Sequence, residues 1–101
     1  MQQTIEELDL IRVLILEDVP EDAELMARHL SGDGLRADVR RVASEEDFRR
    51  ALSDFRPEVI LADYSLPGFD GKSAMWIARI EAPSVPVIFV SGAIGEESAI
   101  A

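Results

Sequence analysis

Three carboxylates stand directly after two short apolar runs. Val13-Leu14-Ile15-Leu16 leads into Glu17-Asp18, and Val59-Ile60-Leu61-Ala62 leads into Asp63. Two unit charges about 4 Å apart repel by roughly 4 kcal/mol at an effective dielectric of 20. Three acids sharing one rim therefore require a cation, a raised pKa or solvent to relieve them. Magnesium is the natural cation: it takes oxygen ligands, uses one or two carboxylates and keeps several waters. Calcium would ask for more protein ligands than such a rim offers. A carboxylate can also accept a phosphoryl group as an aspartyl phosphate. Asp63, alone at the end of its run, is the candidate nucleophile, and a divalent ion would offset the repulsion that opposes its attack. Ser91-Gly92 adds a hydroxyl and an approachable backbone suited to phosphate oxygens. Taken singly, each feature has a plainer reading, because a strand-final Asp is most often a cap or turn former and Ser-Gly most often a turn. Glu17 is harder to dismiss, since Asp18 can cap the following helix and leaves Glu17 without such a task.

The elements that must position these groups follow from periodicity. Unbroken Leu and β-branched runs read as strands buried on both faces of a parallel sheet, whose ligands sit outside the strands' carboxyl ends. The first strand is expected over 11–16. Pro20 then opens a helix with Glu21 and Asp22 near its positive end and Ala23, Met26, Ala27 and Leu30 on one face, and Gly32 and Gly34 stop it. A second strand spans 37–42, with Arg40 and Arg41 marking it as an edge. Ser44-Glu45-Glu46-Asp47 is a helix-capping pattern, followed by an apolar face of Phe48, Ala51, Leu52 and Phe55 and a stop at Arg56-Pro57. The third strand is expected over 58–62, a turn over 64–71, and a third helix over 72–81 carrying Ala74, Ile77, Ala78 and the Trp76/Ile80 pair. A fourth strand spans 85–90, and 96–101 reads as the first turns of another helix. The order βαβαβαβ implies an α/β fold with right-handed crossovers and a parallel sheet.

At 101 residues the chain has room for one domain, here a leader over 1–10 and a domain over 11–101. A formal net charge of −10 argues against nucleic acid or an anionic membrane as direct partners. The absence of cysteine excludes disulfides, thiol catalysis and zinc-thiolate sites and fits a cytoplasmic protein. No signal peptide or membrane-length apolar run is present in the 101 residues.

Asp63 is followed by Leu66-Pro67 and Gly71 in the pattern Asp-x-x-Leu/Met-Pro-x-x-x-Gly, and Ser91-Gly92-Ala93 follows the fourth strand. With the acidic doublet Glu17-Asp18, these elements make the chain resemble the receiver domains of bacterial two-component response regulators over essentially all of 11–101. The resemblance implies a flavodoxin-like three-layer α/β sandwich in strand order 2-1-3-4-5. It implies magnesium held by Glu17, Asp18, Asp63 and the backbone carbonyl of Ser65. It implies phosphorylation of Asp63 by a histidine kinase or phosphotransfer protein, with Ser91 touching the phosphoryl group and relaying the signal. The family is not enzymatic beyond phosphorylation and dephosphorylation of its own aspartate.

The resemblance also implies elements that the 101 residues do not contain: the rest of a fourth helix, a fifth helix, and a fifth strand opening with a phosphate-pairing lysine. The only lysine is Lys72, which follows the wrong strand to substitute for it. A bare fourth strand would be a template for another chain, so a homodimer or oligomer through that edge is expected. The competing reading is a receiver-like interaction module that has lost phosphorylation with the lysine. A magnesium-dependent aspartyl-phosphate hydrolase would need an acid at Ser65, and a nucleotide or flavin binder would need an anion cradle where Glu17-Asp18 stand.

Overall fold

A computed structural model describes residues 10–32, 34, 36–63, 68–69 and 71–90. Four parallel strands form one sheet in the order β2-β1-β3-β4, with β1 Ile11–Leu16, β2 Ala37–Val42, β3 Val59–Asp63 and β4 Val87–Val90. Helices α1 Pro20–Gly32, α2 Glu45–Asp54 and α3 Gly71–Glu81 are the crossovers. The fold is the flavodoxin-like α/β arrangement anticipated from the sequence, to the extent of these elements.

Alternation along β1 divides the core into two layers. Leu14 and Leu16 face α2 and α3, packing with Phe48, Leu52, Phe55, Ile60, Ala62 and Ile77. Val13 and Ile15 face α1, packing with Ala23, Met26 and Leu61. Side chains at i and i+2 of a strand share a face, so a central strand that is apolar from Val13 to Leu16 fills both layers. The expected helical faces behave accordingly: Phe48, Ala51, Leu52 and Phe55 are all buried, as are Ala23 and Met26, while Ala27 and Leu30 are only half-buried. Ser44 caps α2, its Oγ accepting from the Asp47 N–H at 3.1 Å.

Several boundaries differ from the sequence reading for local reasons. β3 runs one residue later than expected, to Asp63. Glu58 serves instead as a join, its N–H donating to the Arg12 carbonyl at 2.8 Å while its Oε1 accepts from the Arg12 N–H at 2.9 Å. β4 starts two residues later than expected. Val85 donates to the Ala82 carbonyl in a turn at 3.0 Å, and Pro86, with no N–H, contributes only its carbonyl to Ile60. Phe69, read from sequence only as part of a turn, is a core residue whose ring meets Phe48 at 5.5 Å between centroids. Trp76 and Ile80 lie on α3 as expected but point to solvent, 59% and 77% exposed, whereas Ala74, Ile77 and Ala78 are buried. Residues 1–9 of the leader, the Leu66-Pro67 segment and the helix expected over 96–101 lie outside the described residues.

Candidate functional site: the carboxylate rim

β1 and β3 are neighbours, with Leu16 opposite Ala62 in the pairing register. The next residue of each strand is an acid, so the register brings Glu17 and Asp63 to the same rim at the carboxyl end of the sheet. Glu17 is 1% exposed and Asp63 6%, while Asp18 is open to solvent. Of the three acids expected at one edge, the structure brings Glu17 and Asp63 together, while Asp18 follows Glu17 in the chain and faces solvent.

Backbone contacts fix Glu17. Its N–H donates to the Val42 carbonyl at 2.9 Å, and its own carbonyl accepts from Arg41 Nη1 at 3.2 Å. The carboxylate has two different oxygens. Oε2 accepts from the Val19 N–H at 3.1 Å, which tightens the turn into α1. Oε1 is buried and has no hydrogen-bond partner among the described residues. Burial, assisted by the neighbouring carboxyls of Asp63 and Asp18, pushes the Glu17 pKa from 4.5 up to about 7, against the opposing pull of the Val19 N–H. The sequence argument that Glu17 lacks a local task is corrected here, because half of its carboxylate shapes the β1–α1 turn. The other oxygen, Oε1, has no hydrogen-bond partner among the described residues.

A group that prefers oxygen ligands suits this chemistry. The donors are carboxylates, one oxygen is buried without a hydrogen-bond partner among the described residues, and burial beside other carboxyls raises the Glu17 pKa. Among the described residues, however, no three Asp, Glu, His or Cys side chains already stand together as a metal cage. Such a site fits an ion that keeps several waters and takes only part of its shell from protein. The backbone carbonyl of Ser65 and the hydroxyl of Ser91, both singled out from sequence, lie outside the described residues. Lys72 sits exposed in the first turn of α3.

Arg41 was missed as a contributor to the rim. The sequence reading took Arg40 and Arg41 only as interruptions of an edge strand. Strand alternation separates their roles. Arg40 lies over the Phe55 ring, 4.7 Å from its centroid, and Arg41 reaches the Glu17 carbonyl on the other side. The available signal was an arginine one residue before the end of a strand paired to the acid-bearing one.

An open parallel sheet with carboxylates at the ends of its two central strands defines a class of domain: doubly wound α/β, with its chemistry at the carboxyl rim. Sequence comparison makes this specific, because residues 13–101 match the response regulator receiver domain, and the chain belongs to that family. Among curated relatives it is 31% identical over 86 residues to the uncharacterized transcriptional regulatory protein YvcP of Bacillus subtilis. It is 35% identical over 92 residues to the nitrogen assimilation regulatory protein NtrX of Azorhizobium caulinodans. Those alignments cover 84% and 88% of this chain but only 35% and 20% of the relatives, so the chain spans about a third or less of their length. Among solved structures, the signal receiver domain of a modulated diguanylate cyclase from Desulfovibrio desulfuricans aligns with a TM-score of 0.66 at 30% identity, covering 84% of this chain and 67% of that one. The response regulator domain of Thermotoga maritima CheB aligns with a TM-score of 0.60 at 26% identity, covering 89% and 66%.

Proposed function

We propose that this domain is a phosphoacceptor in two-component signalling, with Asp63 taking a phosphoryl group from a phosphohistidine on a histidine kinase or phosphotransfer protein. The observation that carries the reading is the buried Oε1 of Glu17, without a hydrogen-bond partner among the described residues, beside Asp63 on the adjoining strand. In the transfer, an Asp63 carboxylate oxygen forms the new bond to phosphorus, the P–N bond breaks, and the imidazole leaves with the electron pair and takes up a proton. Glu17, Asp18, Asp63 and the Ser65 carbonyl are the residues that would hold magnesium, which when bound would supply the charge neutralisation that lets two anions meet. Glu17 fixes the geometry of that rim through Val19, and Arg41 holds the Glu17 backbone. Ser91 is the candidate hydroxyl contact to a phosphoryl oxygen. Nothing in this role turns over an external substrate, and at most Asp63 gains and loses its own phosphoryl group. Incubation with magnesium and a small acyl phosphate, followed by intact mass measurement, should give one phosphoryl adduct that Asp63→Asn abolishes. No adduct, or an adduct surviving that substitution, would refute the assignment.

A receiver-like interaction module without phosphorylation is the second reading. It requires partner binding that is indifferent to Asp63→Ala and to magnesium. Both readings keep the division at residues 10 and 11, where β1 begins, and a cytoplasmic setting, consistent with the absence of cysteine. Among the described residues no helix is long and apolar enough to cross a membrane. The edge of β4, paired only with β3 among the described strands and bearing the exposed Ile88, is the surface we assign to self-association. Light scattering that gives a monomer at high concentration would remove that part.

A further inference from the structure

The outer face of α3 is the least expected surface of the molecule. Trp76 is the only tryptophan of the chain, yet it is 59% exposed, and Ile80, one turn later, is 77% exposed. Residues four apart on a helix are surface neighbours, so the two form one patch rather than scattered exposure. Tryptophan is also the residue most enriched at energetic centres of protein interfaces.

The charges around this patch run against those of the chain. Lys72 and Arg79 are exposed on α3, and neither enters an ion pair among the described residues. Seven residues apart, about 10 Å along the axis, they border the apolar pair on one side. Arg79 leans toward the Trp76 ring, 5.9 Å from its centroid. The only acid of the helix, Glu81, is engaged by Arg49 of α2. A chain of net charge −10 therefore presents one helix face that is apolar and cationic.

We propose that this face docks an acidic amphipathic segment of a partner protein, its apolar side chains covering Trp76 and Ile80 and its carboxylates meeting Lys72 and Arg79. Charge separates this occupant from the others. A second copy joined face to face would bring two Lys72 and two Arg79 together around one apolar contact, and like charges so placed oppose association. An anionic lipid surface extends well beyond the two cations and would lie close to other parts of a protein whose net charge is −10, whereas a short segment meets the patch alone. At physiological salt, charges more than about 8 Å away are largely screened, so the two nearby cations dominate what a bound helix feels. The surface is separate from the carboxylate rim, and its test does not depend on whether Asp63 is phosphorylated.

Because Trp76 is the sole tryptophan, its fluorescence reports on the patch alone. The probe is a synthetic amphipathic peptide with leucine on one face and glutamate on the other, titrated into the intact chain in physiological buffer. The expected result is a saturable blue shift of Trp76 emission that weakens as salt rises. Lys72→Glu with Arg79→Glu should weaken binding at least about tenfold, the sum expected for reversing two rim charges. Ile80→Glu should do the same while leaving the reporter in place, and far-UV circular dichroism confirms that each variant is folded. Four results would overturn the proposal: emission already blue in the free chain, a shift that grows with protein concentration alone, a shift on anionic vesicles without peptide, or equal response to a leucine–lysine peptide.

Discussion

Replacing Glu17 by Gln tests the electrostatics of the rim without touching the acceptor. In the metal-free protein the Glu17 carboxyl ionises at about 7 against 4.5 in the unfolded chain. Between those values the unfolded state releases a proton that the folded state keeps, so stability falls as pH rises. It is full below pH 4.5 and levels off above pH 7. The interval corresponds to a ceiling of about 3 kcal/mol, at 1.36 kcal/mol per tenfold change in proton affinity. Water reaches the rim beside the exposed Asp18, and screening there reduces the expected amplitude to about 1–2 kcal/mol. Glutamine keeps an oxygen for the Val19 N–H and cannot ionise. Urea unfolding in chelator at pH 4.5 to 8.5 should therefore show the two proteins equally stable at the acid end. At pH 8 the variant should lead by about 1–2 kcal/mol with an unchanged m value. Parallel pH profiles, or a variant less stable at pH 8, would refute the claim that Glu17 is an uncompensated buried charge.

Other expectations follow from the same structure. Magnesium at a hundredfold excess over its dissociation constant should raise wild-type stability by about 2.7 kcal/mol, and Glu17→Gln should remove most of that gain in parallel calorimetric scans. Phe48→Ala, which removes a fully buried ring in contact with Phe69, should cost about 3–5 kcal/mol in equilibrium unfolding. Arg56 holds a φ of 54°, a left-handed conformation just past the end of α2. Arg56→Gly should therefore raise stability by up to about 1 kcal/mol, because the Arg12 Nε bond to its carbonyl survives, and a lowered thermal midpoint would contradict this. Ser44→Ala should cost about 1 kcal/mol through loss of the α2 cap, read from the urea midpoint.

Much of this architecture was legible because its signals are local. The runs at 13–16 and 59–62 announced central strands, the spacing of Phe48, Ala51, Leu52 and Phe55 announced a buried helical face, and Ser44 announced its start. The rim acids could be named because strand ends are visible in sequence and the sheet order follows from alternating elements. What was not legible depends on three-dimensional neighbours. The burial of Phe69 required knowing that Phe48 lies across from it. Arg41 gained a role only once β2 was paired to β1, and the division of labour between the two Glu17 oxygens appears only when the β1–α1 turn is closed. The exposure of Trp76 beside the buried Ile77 depends on how α3 is rotated against the sheet, and small helices with several apolar positions leave that rotation open.

The join between Arg12 and Glu58 has a consequence at the far end of the sheet. Each begins its count at the same level: Glu17 lies five residues after Arg12, and Asp63 five residues after Glu58. At about 3.3 Å per residue, that lower fastening lies roughly 16 Å from the carboxylates. The distance between the acids is thus gauged by a polar clasp that no phosphoryl group or ion would ever touch. A single residue inserted between Arg12 and Glu17, or between Glu58 and Asp63, would slide one carboxylate past the other and turn every following side chain to the opposite face. Insertions outside those two five-residue spans would leave the gauge intact, so this short pair of segments, rather than the whole domain, carries the tolerance limit for changes in length.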